Sequence, residues 1–253
     1  MASDTQLIAG VIAIPRAVLG RWSSFDECVY GLDLPDGWTV KTGRGCSPAT
    51  NRNGLIEIAR SLGAEFIWFL DDDLVFRPDA LRRLLLRFKD PTVDCVIPLS
   101  FMRNAPFKAI WFHEATPLMA SMLDNLPPPG PLVPLAAGTF GGLLVRMSAI
   151  DKMTKPYVTI GQLRPDEWND DLYFCRKLTE AGVQIWGDST VRMGHTTDVE
   201  LWPHYDEAMG GWSVLFARNT QPFLMQPWGR DDDSLDAGAE REQPAAVLTR
   251  HEG

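Results

Sequence analysis

Short unbroken apolar runs alternate with stretches of helical spacing through the first hundred residues. Leu7 to Ile14 is apolar and β-branched and predicts a first strand that ends at Pro15-Arg16. A helix is expected from about Ala17 to Tyr30, then a turn at Leu34-Pro35-Asp36-Gly37 and a second strand from Trp38 to Thr42. Ser47 suits an N-cap and Pro48 a first helical position, and Leu55, Ile58, Ala59 and Leu62 recur on one face before Gly63 stops the helix. Phe66-Ile67-Trp68-Phe69-Leu70 then runs straight into Asp71-Asp72-Asp73. Five apolar residues without alternation predict a strand buried on both faces, as in a parallel sheet. After Pro78 a helix carries Leu81, Leu84, Leu85 and Phe88 on one face, with Arg82, Arg83 and Arg87 read as its solvated side, and Val93 to Pro98 predicts a further buried strand. Strand and helix alternate, which implies a mostly parallel sheet with right-handed crossovers.

The second half is less regular. Lys108 to Phe112 predicts a strand, and the proline-dense Asn125 to Pro131 excludes helix and interior strand. The glycine-bearing Ala136 to Gly142 leads into a strand from Leu143 to Arg146 and a helix capped by Ser148. Asn169 is placed to cap a helix running to Ala181, with Asp170 and Asp171 in its first turn and Gly182 as its stop. Val183 to Trp186 is a short strand, and Val191 to Gly194 a second apolar run ending at His195. Trp202, Tyr205 and Trp212 read either as a flap over a ligand or as core. From Gly229 onward large apolar groups are few, which predicts a disordered acidic tail in which Asp231-Asp232-Asp233 has no strand to position it.

Composition narrows the classes. The chain has 253 residues, 45% hydrophobic and 23% charged, and a net charge of −9, which argues against affinity for a nucleic-acid backbone. Cys28, Cys46, Cys95 and Cys175 show no C-x-x-C spacing, so free thiols in a reducing compartment are expected rather than a disulfide framework or zinc site. No basic segment followed by an apolar run opens the chain, and no stretch approaches the ~20 apolar residues that span a bilayer. A cytoplasmic protein is expected.

The candidate chemistry starts at the three aspartates. Ligand sites of open α/β sheets lie outside the carboxyl ends of the strands. Adjacent carboxylates repel, and a hard divalent cation of the magnesium or manganese type would offset that. Strand alternation would put Asp71 and Asp73 on one face and Asp72 on the other. Arg52, flanked by Asn51 and Asn53 near a helix N-terminus, suits an anion such as a phosphate.

These motifs resemble the nucleotide-sugar glycosyltransferases of the GT-A fold, family 2 type, over roughly residues 7 to 198. The likeness rests on Pro15-Arg16, on Asn51-Arg52-Asn53 opening the helix before the acids, on Phe69 to Asp79, and on the glycine and Asp170-Asp171 segments. It implies a GT-A-like, Rossmann-like α/β fold, with a single domain over 1–228, a donor half of about 1–124 and an acceptor half of about 132–228. It further implies transfer of a sugar from a UDP- or GDP-linked donor to an acceptor hydroxyl. Asp73 would be the firmest metal ligand, joined by Asp71 and by His195 as a late histidine ligand, for Mn2+ or Mg2+. Pro15, Arg16, Asn51, Arg52, Asp71 and Asp72 would surround the nucleotide, and Gly141 and Gly142 the sugar and acceptor. In inverting members the second acid of the later pair is the general base, which points to Asp171. The family more often has glutamate first, and Asp170 departs from that. Three rivals use similar residues. A haloacid dehalogenase-type phosphatase would want threonine where Val75 stands. A nucleotidyltransferase would want a glycine-rich basic loop after the first strand. A non-catalytic sugar- or metal-binding protein would bind without turnover.

Overall fold

In a computed structural model the described residues are 9–16, 23–104, 106–116, 120–123, 125–159, 169–196 and 200–217. The elements in chain order are β1 (Gly10–Pro15), α1 (Ser23–Tyr30), β2 (Trp38–Gly43), α2 (Pro48–Ser61), β3 (Phe66–Phe69), β4 (Leu74–Phe76), α3 (Ala80–Arg87) and β5 (Cys95–Leu99). There follow β6 (Trp111–Ala115), β7 (Ala120–Met122), β8 (Val133–Leu135), β9 (Ala137–Gly138), β10 (Leu144–Arg146), α4 (Met147–Ile150), α5 (Asp170–Glu180), β11 (Ile185–Thr196), β12 (Glu200–Asp206) and β13 (Gly211–Ala217). The start of the expected first strand, residues 17–22 of the expected first helix, Trp168 and the acidic tail lie outside the described residues.

The main sheet runs β13-β12-β11-β5-β10-β3-β1-β2, with β4 and β8 also paired to β11, and β7-β6-β9 forms a smaller sheet. β1, β2 and β3 are parallel. β1 and β3 have the unbroken apolar sequences of strands buried on both faces, whereas β2 is the half-exposed edge strand Trp38-Thr39-Val40-Lys41-Thr42-Gly43. The sheet departs from the expected parallel order at β10, which is antiparallel to both β3 and β5. A strand of three residues carries too little pattern to reveal its direction. A second departure follows the acids, where β4 pairs antiparallel with β11 from Leu74–His195 to Phe76–Met193. A third is β11 itself. The two short apolar runs expected there form one strand, irregular between Asp188 and Arg192.

Two cores cover the two faces. One includes Val11, Ile67, Phe69, Phe140 and Phe174 beneath α2 and α5, and the other Ile12, Trp68, Phe76 and Leu84 beneath α1 and α3. Ile67 with Phe69 and Phe66 with Trp68 divide between them, the period-two division of a strand covered on both sides. α2 starts where the sequence places it, with the Ser47 side chain accepting from the Thr50 amide at 3.2 Å and Pro48 in the first turn. The short α4 is different. Its N-cap is Arg146 and Ser148 sits inside it, because β10 runs directly into the turn.

Candidate active site at the carboxyl ends of the strands

β3 is fully buried and ends at Phe69. The Phe69 amide donates to the Leu143 carbonyl at 2.9 Å, and the Gly142 amide to the Phe69 carbonyl at 3.0 Å. The chain then turns before β4, and Asp71, Asp72 and Asp73 occupy that turn, partly exposed. Strand alternation therefore stops short of them. Asp71 reaches towards α2, whereas Asp73 pairs with Arg103, which follows β5.

The Asp71 side of the site is a charge cluster. Arg52, in the second turn of α2, is 5% exposed. Its Nη2 donates to Asp71 Oδ1 at 2.7 Å, and its Nη1 donates to Asp170 Oδ2 at the head of α5. Its guanidinium lies 4.1 Å from the centroid of the Phe140 ring. Phe140 packs edge-on against Phe69 at 4.9 Å and tilted against Phe174 at 4.8 Å, so three aromatic rings floor the cluster. Asn169 caps α5 by accepting from the Leu172 amide at 2.8 Å. Asp171 Oδ1 accepts from the Phe140 amide at 3.0 Å.

One cation thus faces three carboxylates. Burial pushes the Asp171 carboxyl up to about 7, opposed by Arg52 and assisted by Asp170 and Asp71, while the Phe140 amide pulls it down. Burial would lower Arg52, but Asp71, Asp171 and Asp170 outweigh it and hold the guanidinium more firmly charged than usual.

The Asp73 side adjoins it. Burial raises the Asp73 carboxyl, His195 lowers it, Asp71 and Asp72 raise it, and Arg103 lowers it through a 3.0 Å contact. The Thr196 amide donates to the Asp73 carbonyl at 2.8 Å, which ties the acid turn to the end of β11. His195 is nearly buried, and its Nδ1 lies 2.6 Å from the Phe101 carbonyl. A carbonyl only accepts, so Nδ1 donates this bond and Nε2 is the ring nitrogen left facing away from it. Among the described residues no group of three or more His, Cys, Asp and Glu side chains is placed to hold a metal ion. Asp71, Asp73 and His195 are oxygen and nitrogen donors of the chemical type that divalent cations accept beside phosphate oxygens and water.

The remaining expected residues are placed as follows. Pro15 and Arg16 end β1 beside β3, where the Arg16 amide donates to the Gly43 carbonyl at 2.8 Å and its guanidinium is 3.9 Å from Asp26. Asn51 is buried, and its side-chain amide donates to the Cys46 carbonyl at 3.3 Å. Asn53 binds the backbone of residues 157–158 and serves the scaffold. Asp72 is partly exposed in the acid turn. Gly141 and Gly142 lie against the end of β3. At Gly142 a positive φ of 87° and contacts of 2.5 Å from an added Cβ to Met193 and Pro98 require glycine. Two residues of the site were not foreseen. Phe140 gave no signal beyond lying in the glycine segment. Arg103 was findable only as a basic residue just past the carboxyl end of a predicted strand.

Residues 38–153 match the family model described as Glycosyl transferase family 2. The fold is GT-A, the glycosyltransferase fold. The match spans Arg52, the acid turn and the glycine segment, and ends before Asp170, Asp171 and His195. A197 from STIV aligns with a TM-score of 0.59 at 12% identity, covering 88% of this chain and 99% of that one. GalNAc-T7, solved with UDP, GalNAc and Mn2+, aligns with a TM-score of 0.52 at 14% identity, over 76% of this chain and 44% of its own. Less than half of GalNAc-T7 is therefore represented here. No curated protein matches the chain. The family match and the GT-A fold together support a glycosyltransferase.

Proposed function

We propose that the protein transfers a sugar from a UDP- or GDP-linked donor to an acceptor hydroxyl with inversion, aided by Mn2+ or Mg2+. One observation carries this reading. Arg52 joins Asp71 of the first acidic motif to Asp170 of the second, so groups about a hundred residues apart in sequence form one site at the sheet's carboxyl edge.

In this reading Asp73 and His195 hold the cation, with Asp71 beside them. Bound there, it would offset the negative charge that grows on the departing diphosphate. Pro15, Arg16, Asn51 and Asp72 border the nucleotide, and Gly141 lets the backbone approach the sugar. Asp171 takes the proton from the acceptor hydroxyl as that oxygen attacks the anomeric carbon and the nucleoside diphosphate leaves. A carboxyl raised to about 7 suits the task, because a base near the working pH is both ionised and proton-avid. The Phe69, Phe140 and Phe174 rings pack beside that carboxylate, and the Phe140 amide holds its Oδ1. The donor groups lie in about the first 124 residues and the base in the later half.

A cytoplasmic setting is supported by four free cysteines. No described helix is long and apolar enough to cross a membrane. A thermal-shift panel of UDP, GDP, CDP and ADP and their sugar forms, with and without manganese, tests the reading. A metal-dependent rise with one nucleotide, lost in Asp73→Ala, is the expected result. No response to any nucleotide would remove it in favour of a phosphatase or a sugar-binding protein.

A further inference from the structure

Family resemblance assigns Arg52 to the nucleotide, yet its guanidinium is engaged elsewhere. Nη2 is held by Asp71, Nη1 by Asp170, and one flat face rests on Phe140. Its Nε is buried without a hydrogen-bond partner. We propose that Arg52 is a positioning residue that fixes the first turn of α5, and so the Asp171 carboxylate, against the donor motif. The proposal rests on the transfer reading above and adds to it what sets the place of the base.

Two routes lead from Arg52 to Asp171. One passes through Asp170, its neighbour, whose Oδ1 also accepts from the Asp171 amide at 3.2 Å. The other passes through Phe140, whose ring supports the guanidinium and whose amide holds Asp171 Oδ1. The charged groups facing Arg52 are Asp71 from the acid turn and Asp170 and Asp171 from α5. Remove the cation and three carboxylates remain in one partly buried volume. Their repulsion then drives α5 away from β3. Lysine at the same place would supply charge but not a planar fork that reaches two carboxylates at once.

The test uses the full chain with Arg52→Gln and Arg52→Lys, measuring nucleotide affinity by calorimetry with manganese and transfer by steady-state kinetics. For Arg52→Gln kcat falls about 100-fold, the effect of a catalytic group displaced by about an ångström. Nucleotide Kd stays within about threefold, and Lys recovers part of kcat. A tenfold or larger rise in Kd with kcat retained would overturn the proposal and return Arg52 to the nucleotide. A thermal double-mutant cycle with Asp170→Asn guards against a merely unfolded variant and needs no turnover. About tenfold coupling in the folding equilibrium is expected, and additivity overturns the bridge. Wild-type protein that transfers no sugar from any donor defeats the transfer reading itself, and the positioning role in catalysis with it, while the cycle separately decides whether Arg52 holds α5.

Discussion

Two arginine–aspartate clusters sit on opposite faces of the sheet, and they differ in their arithmetic. Arg87, at the end of α3, donates to Asp188 of β11 through Nε at 2.7 Å and Nη2 at 3.1 Å. The Thr190 amide and hydroxyl add bonds to Asp188 of 2.9 and 2.7 Å, and Arg87 Nη2 also reaches the Gly130 carbonyl at 3.1 Å. One positive charge meets one negative charge, and both carboxylate oxygens are filled although Asp188 is fully buried. At Arg52 one positive charge meets three negative ones, and a carboxyl is driven up to about 7. Balanced burial holds the proline-rich connection and β11 in place. Surplus negative charge leaves groups ready to take a proton or a cation, the kind of imbalance that the proposed site would use and a strut would not.

The sharpest way to break this contrast is Asp171→Asn. Transfer should fall by about 10²–10⁴, the usual worth of a general base, while donor binding persists. A fully active variant would leave the surplus charge without its chemical meaning. Next in size is Arg87→Met, which strands Asp188 buried and unpaired and should cost about 3–5 kcal/mol in urea unfolding. Its transfer pH profile should keep the wild-type midpoint, since this cluster is away from the chemistry. A shifted midpoint would show the two clusters to be coupled.

The third prediction concerns pH. The folded Asp171 carboxyl stands at about 7 against a usual 3.8, so between those values the folded state holds a proton that the unfolded state has released. Its contribution to stability is complete below about pH 4 and is lost as pH rises through about 7. The loss is about 2 kcal/mol for a partly exposed carboxyl, and Asp171→Asn should abolish that slope. If Asp171 is the base, as proposed, transfer should have the opposite sign, rising through the same range as that carboxyl ionises. The smallest effect is expected of Arg103→Ala. Arg103 is half-exposed against Asp73, so its ion pair should be worth under about 1 kcal/mol, and the nucleotide response to manganese should survive.

The central strands and the caps of α2 and α5 were legible because local chemistry decides them. Ser47, Pro48 and Asn169 do in the fold what their side chains favour in any chain. The convergence of Asp71 with Asp170 was reachable only through family likeness, since no local pattern links positions so far apart. What escaped depends on partners. Arg87 has helical spacing typical of a solvated face, and only the approach of β11 gives it a buried counter-ion. β4 is three residues long, and its register is set by β11 rather than by its own sequence. Arg103 lies in a connection with no periodicity to read.

The four cysteines carry a practical consequence. Cys28, Cys95 and Cys175 are buried, with the first and last pushed up to about 12 by burial and Cys95 well above its usual value, so their thiolates are scarce. Cys46 is exposed and lies beside the cap of the helix that carries Arg52. A maleimide dye at neutral pH therefore attaches at one address without any engineered mutation. Fluorescence from that address would follow events at the mouth of the site in the native chain.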